Sequence, residues 1–231
     1  MTGFDTLGGP HILMLLCCFA AGVLLVFHAS PRLIRITAAA LIVLEALQDI
    51  YLLSQGETIL YNLPLHLCGL GIFTNLIGAF SDSKSAVFLR EVSLMLIAPG
   101  SVFALLFPDW TYMPLLSVLS VIGFVSHTLL IAVPLMMLRA GLVRPEGRHF
   151  WYPLAFLAVV SPAVYAFDRV CGCNYMFLRQ PIEGTPLAWW ADRLGDPGYL
   201  LGILLMILML LALEYGPAVV REKKNKTEND A

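Results

Sequence analysis

Six side chains in this 231-residue sequence are of types that can do chemistry and sit where lipid would surround them. They are Glu45, Gln48 and Asp49 in one apolar run, His66 and Cys68 in a second, and His127 in a third. An ionisable group near the centre of a bilayer costs roughly 2.5 to 3.5 kcal/mol on insertion scales, so each asks for a partner or a use. Glu45, Gln48, Asp49 and Leu52 recur at helical i, i+3, i+4 and i+7 spacing. They form one face that must look into a bundle. Two carboxyls one turn apart repel, which predicts that one is protonated or paired with His66 or His127.

His66 and Cys68 are two residues apart, about 200° around an ideal helix, and so make a poor dyad with each other. A thiol nucleophile needs a base that converges on it in space, and His127 from another helix fits that need better. Measured from the predicted cytoplasmic ends of their spans, Glu45, Cys68 and His127 lie at a common height of about 17 Å, which defines a polar layer. Three chemistries remain open for such a layer: nucleophilic acyl transfer, relay of protons or cations by the carboxyls and imidazoles, and plain hydrogen bonding between helices.

The elements that must position these groups are transmembrane helices. Only 13% of residues are charged and 59% are hydrophobic, which excludes a soluble globular domain, and a net charge of -2 excludes a basic nucleic-acid surface. The fold class predicted is all-α and polytopic, with seven transmembrane helices near His11–Ala29, Leu33–Leu53, Leu63–Phe80, Ala86–Phe107, Met113–Leu138, Phe150–Phe167 and Gly198–Tyr215. Eleven of the fourteen Lys and Arg residues fall on one side of this arrangement, and only Arg169, Arg179 and Arg193 face the other. The positive-inside rule then places the N-terminus outside and the C-terminus in the cytoplasm.

Residues 1–216 are accordingly read as one transmembrane domain and 217–231 as a polar cytoplasmic tail, disordered from Arg221 onward. The long connection 168–197 is an exterior lid or interfacial segment, with Trp189, Trp190 and Tyr199 suited to the headgroup level. Pro99, Pro134 and Pro162 can each kink a span. Five cysteines, three inside apolar runs, imply no disulfide framework. Cys171-Gly-Cys173 lacks the further ligands a metal would need, so no metal and no cofactor is expected.

The run Leu63-Pro64-Leu65-His66-Leu67-Cys68 resembles the LPLHLC signature of the YwaF-like bacterial membrane proteins, a family that includes animal transmembrane protein 164. Ala104–Asp109 is similar to that family's ALLTPD segment, Ser126-His127 to its buried Ser-His pair, and Asn174–Arg179 followed by Pro181 to its NYMYL segment. The aliphatic stretch Leu119–Val125, and Thr185-Pro186-Leu187 with Gly195-Asp196-Pro197, depart from the family pattern.

The resemblance implies a coenzyme A-independent phospholipid acyltransferase, or a lipid hydrolase, in a bacterial inner membrane, with phospholipid and lysophospholipid as partners. Cys68 would be the acyl-accepting nucleophile and His127 its base. Glu45 would orient the imidazole, and His66 or Asn174 would serve the oxyanion. Substrate contacts would fall to Gln48, Asp49, Asn174, Tyr175, Arg169 and Arg179. The rival classes are a proton-coupled carrier using the same buried layer and a non-catalytic membrane protein.

Overall fold

The structure is a computed structural model that describes residues 3–229. It is all-helical, with no strand among the described residues, and its internal contacts divide it into two compact units, Met1–Val143 and Arg144–Ala231.

The first unit is built around α6, Val118–Arg139. Half of its most apolar stretch is buried, against 6% for α1, Gly9–Phe27, so α6 is the axis and α1 an outer helix. Ser117 starts α6 by accepting the Ser120 N–H at 3.3 Å, which satisfies one of the free amides of the first turn. α2, Pro31–Ser54, opens the same way, with Ser30 accepting from Leu33 N–H and proline in the first turn, where no amide is needed. Its buried positions Ile34, Thr37, Ala38 and Leu41 follow helical spacing and turn toward α3 and α6.

α3, Leu67–Phe80, has only 14 residues. That is about 21 Å of rise, short of a hydrocarbon core of roughly 30 Å. Among the described residues six helices are long and apolar enough to cross a membrane, and the stretch predicted at Leu63–Phe80 is not one of them. Pro64 withholds an amide, and the chain from Leu63 to His66 stays non-helical before α3 begins. This segment folds back over Gly69, where a Cβ would stand 2.6 Å from the Pro64 Cα, so only glycine fits.

At its other end α3 is closed by Arg90. This arginine lies in α4, Lys84–Val92, and its side chain is only 7% exposed. Nε donates to the Gly78 carbonyl at 2.8 Å, Nη2 to Ser81 O at 2.7 Å and Nη1 to Leu142 O at 3.1 Å, while Asp82 pairs with Nη2 at 2.8 Å. α4 continues through a wide π turn at Ser93–Ile97 into α5, Ala98–Leu106, as one apolar span. Pro99 cannot donate to the carbonyl four residues back, and the widened turn directly precedes it. The segment ahead of α1 is pinned to the loop after α5 by Phe4 N–H to Thr111 O, 2.9 Å.

The second unit holds α7, Trp151–Cys171, α8, Pro186–Leu194, and α9, Tyr199–Asn229. α7 stops at Gly172, whose φ of 75° is one glycine adopts freely, and its N–H returns to Asp168 O. α8 lies along α9: the Trp190 indole occupies the space a Gly202 side chain would need, and its N–H donates to Met206 Sδ at 3.2 Å. α9 does not end near Tyr215 but runs on to Asn229, so Arg221 to Asn229 of the polar tail is helical, and positions 230 and 231 lie outside the described residues.

Candidate functional site

The candidate site lies in the first unit, at the N-terminus of α3. His66 is the last non-helical residue before that helix, and Cys68 stands in its first turn. The N–H groups of Gly69 and of Cys68 itself point at the Cys68 sulfur. Two carboxyls reach the same thiol electrostatically, Glu45 from α2 and Asp109 from the loop between α5 and α6. His66 lies within electrostatic reach of His127 on α6, and Glu45 within reach of Asp49. The structure therefore brings Cys68, Glu45, Asp49, His66 and His127 to one end of the helix packing around α6.

His127 is held by its surroundings rather than by a carboxylate. It is 8% exposed, and its Nδ1 sits 2.7 Å from the Gly123 carbonyl. A carbonyl only accepts, so Nδ1 carries the proton and Nε2 keeps its lone pair. Trp110 stacks on the imidazole, with ring centroids 5.3 Å apart at 29°. Gly123 makes this possible, because the indole fills the space a side chain there would need, at 3.3 Å from an ideal Cβ. The Trp110 N–H is itself buried without a hydrogen-bond partner.

Gln48 and Asp49 are half-buried on the same face of α2 as Glu45, as the spacing predicts, and Asp49 Oδ1 is buried without a hydrogen-bond partner. Asp109 keeps exposed surface, yet protein atoms hem its carboxyl and that loss of water pushes it above the ordinary carboxylate range. Tyr112, in the same loop, is raised by burial and then by the nearby charges of Asp109 and Glu57.

Sequence reasoning passed over Asp109 and Trp110 as site residues, although both belong to, or follow directly on, the Ala104–Asp109 block. It also missed His11, which is fully buried with both ring nitrogens committed: Nε2 donates to Leu105 O at 3.0 Å and Nδ1 accepts from Leu7 N–H at 2.9 Å. His11 is a packing histidine, and through Phe124 its aromatic cluster reaches Trp110. Asn75, seven residues after Cys68 and so on the same face of α3, is fully buried with both amide atoms unpartnered. Glu214 in α9 is a further intramembrane carboxyl, visible in the sequence as a lone charge in an apolar run.

The remaining predicted residues belong to the second unit. Asn174 Oδ1 accepts the N–H groups of Arg179 and Gln180, both at 3.1 Å, and its amide donates to Gln180 O at 3.0 Å. It shapes the loop, as does Tyr175, which is 2% exposed. Arg179 Nη1 donates to Asp168 O and Cys173 O at 3.1 and 2.9 Å. Arg169 and Arg179 line a polar pocket of about 150 Å³ with Tyr165, Leu178, Gln180, Asp196 and Pro197. The carboxyl of the fully buried Asp168 is approached by the Tyr175 backbone N–H, and Arg179 lies within electrostatic reach. Among the described residues no two cysteines are joined in a disulfide, and no group of three or more His, Cys, Asp or Glu is placed to hold a metal ion.

A helical chain with six long apolar helices among its described residues, and with a thiol, two imidazoles and three carboxyls near one helix end, is a polytopic integral membrane protein. Residues 6–215 match the TMEM164 family, and the chain belongs to it. Comparison with curated proteins gave no match, and neither did comparison with solved structures.

Proposed function

We propose that this protein is a membrane-embedded acyltransferase that acts on glycerophospholipid esters through Cys68, without coenzyme A. The observation that supports the reading is a first-turn thiol within electrostatic reach of Glu45, preceded two residues earlier by His66, which reaches His127, whose Nε2 is left as an acceptor. The thiol is deprotonated as it attacks, and taking that proton is the task of a general base.

In the first half-reaction Cys68 Sγ bonds to the ester carbonyl carbon and the thiol proton passes to His127 Nε2. The carbon–oxygen bond then breaks, and the same proton goes to the departing glycerol oxygen, giving lysophospholipid and a thioester. In the second half-reaction a lysophospholipid hydroxyl attacks the thioester, its proton passes to His127, and sulfur leaves and is reprotonated. Water in place of that hydroxyl gives hydrolysis. His66, at the N-cap of α3, is assigned to the developing oxyanion. Gln48 and Asp49 are assigned to the rim of the acyl site.

We read the protein as a bacterial inner-membrane member of its family. Its chain crosses seven times, the non-helical Leu63–His66 segment completing the α3 crossing, with the N-terminus outside, the C-terminus in the cytoplasm and 168–197 as an exterior lid or interfacial segment. A second reading, a proton-coupled carrier, draws on the unpartnered oxygen of Asp49 beside Glu45.

Acyl transfer from phospholipid to lysophospholipid by purified Cys68→Ser protein separates the two. The enzyme reading expects loss of at least about a hundredfold in rate. Transfer at the wild-type rate overturns it, and proteoliposome uptake that survives Cys68→Ser but collapses with Glu45→Gln and Asp49→Asn establishes the carrier.

A further inference from the structure

Arg32 and Arg35 stand one turn apart at the start of α2, on the face opposite its buried stripe. Both are exposed, and among the described residues neither has an acidic partner: the nearest acid in sequence along α3's end, Asp82, is already paired with Arg90. Among the described residues Arg32 makes no hydrogen bond or ion pair, and Arg35 makes only a long contact to the Ala79 carbonyl, 3.4 Å, while its guanidinium sits 5.9 Å from the Phe80 ring centre. Below them the same face is apolar. Pro31, Ile36 and Ala39 of α2 and Phe80 at the end of α3 complete, with the two arginines, an open groove of about 640 Å³. Ile36 and Phe80 are more than half exposed.

We propose that this groove binds an anionic phospholipid of the bilayer leaflet that α2's N-terminal end meets. The charge pattern fixes the headgroup: two unneutralised guanidiniums beside the positive end of a helix attract a phosphate, and Arg offers paired donors to it. The wall fixes the rest. A free phosphate would gain nothing from Ile36, Ala39 and the Phe80 ring, and the groove is larger than a headgroup needs. The arginines lie in the first two turns of α2, and Ala39 lies about one turn deeper than Arg35, in the order headgroup then acyl chain. Basic sites of this kind between membrane helices select anionic lipid. The site shares no residue with the Cys68 cluster, so the inference stands apart from the acyltransferase reading.

Native mass spectrometry of the full chain, delipidated in neutral detergent and titrated with phosphatidylglycerol, phosphatidylcholine or the soluble glycerophosphoglycerol, tests it. Wild type retains phosphatidylglycerol in preference to phosphatidylcholine, and loss of either arginine as Arg32→Gln or Arg35→Gln lowers phosphatidylglycerol retention about fivefold. Ile36→Trp, which blocks the apolar wall and leaves both arginines, lowers it as well. Arg32→Gln removes no internal hydrogen bond seen among the described residues, so it decides the matter if Arg35→Gln does not fold. Equal retention of the two lipids by wild type, or unchanged phosphatidylglycerol retention in Arg32→Gln, overturns the proposal. Binding of glycerophosphoglycerol as tight as that of the lipid would show a free-anion site and overturn it too.

Discussion

His127 carries the most specific chemical information in the site, because its tautomer is legible from one contact. The Gly123 carbonyl at 2.7 Å fixes the proton on Nδ1, and stacking on Trp110 fixes the ring. A general base contributes about 10² to 10⁴-fold, so His127→Gln should lower the acyl-transfer rate by that range while leaving thermal unfolding near the wild-type value. A fall of less than threefold, read in the same vesicle assay as Cys68→Ser, would remove His127 from the mechanism. Cys68, His66, Glu45 and Asp49 stood out in the sequence because a polar group in an apolar run is conspicuous. Asp109 did not, because a loop acid after a proline looks like ordinary solvated punctuation, and only folding hems it in beside the thiol.

The helices explain how a short element can present a nucleophile. α3 is a 14-residue rod pinned at both ends, with Pro64 lying against Gly69 above and Arg90 gathering the Gly78 and Ser81 carbonyls below. Arg90 replaces the water those carbonyls would otherwise need, and hydrogen bonds to a charged group contribute roughly 1.5 to 3 kcal/mol each. Arg90→Ala should therefore destabilise the protein by about 3 kcal/mol or more, seen as a lowered unfolding midpoint in detergent by intrinsic fluorescence, and an unchanged midpoint would make the cap irrelevant. Hydropathy located all six long apolar helices among the described residues, though not all of their ends. It overran at α3, where an apolar run of adequate length is interrupted by proline, and at α6, where residues 113–117 form a turn closed by the Ser117 cap. Apolar composition reports which residues lipid tolerates, not where hydrogen-bonded turns begin. The opposite error occurs in α9, whose polar end continues as helix to Asn229 with Glu222 accepting the Gly147 N–H at 2.8 Å.

For the chain as a unit, class was legible from composition alone, since lipid is the only solvent that suits it. What could not be read was its division into two compact units, because packing of one apolar helix on another leaves little mark on sequence when both faces are apolar. Asn174, Tyr175, Arg169 and Arg179 fall in one unit and the thiol in the other, and Asn174 Oδ1 accepts the N–H groups of Arg179 and Gln180 within its own loop. The acyltransferase reading rests in the end on a covalent bond to one sulfur. Rapid-quench peptide mass spectrometry of the wild-type protein, incubated with a phospholipid of defined acyl chains and no acceptor, tests this most directly. A hydroxylamine-labile adduct on the Cys68 peptide, heavier by one acyl group in place of hydrogen and absent from Cys68→Ser, is the expected result. Acyl transfer that proceeds with an unmodified Cys68 at every time point would contradict it.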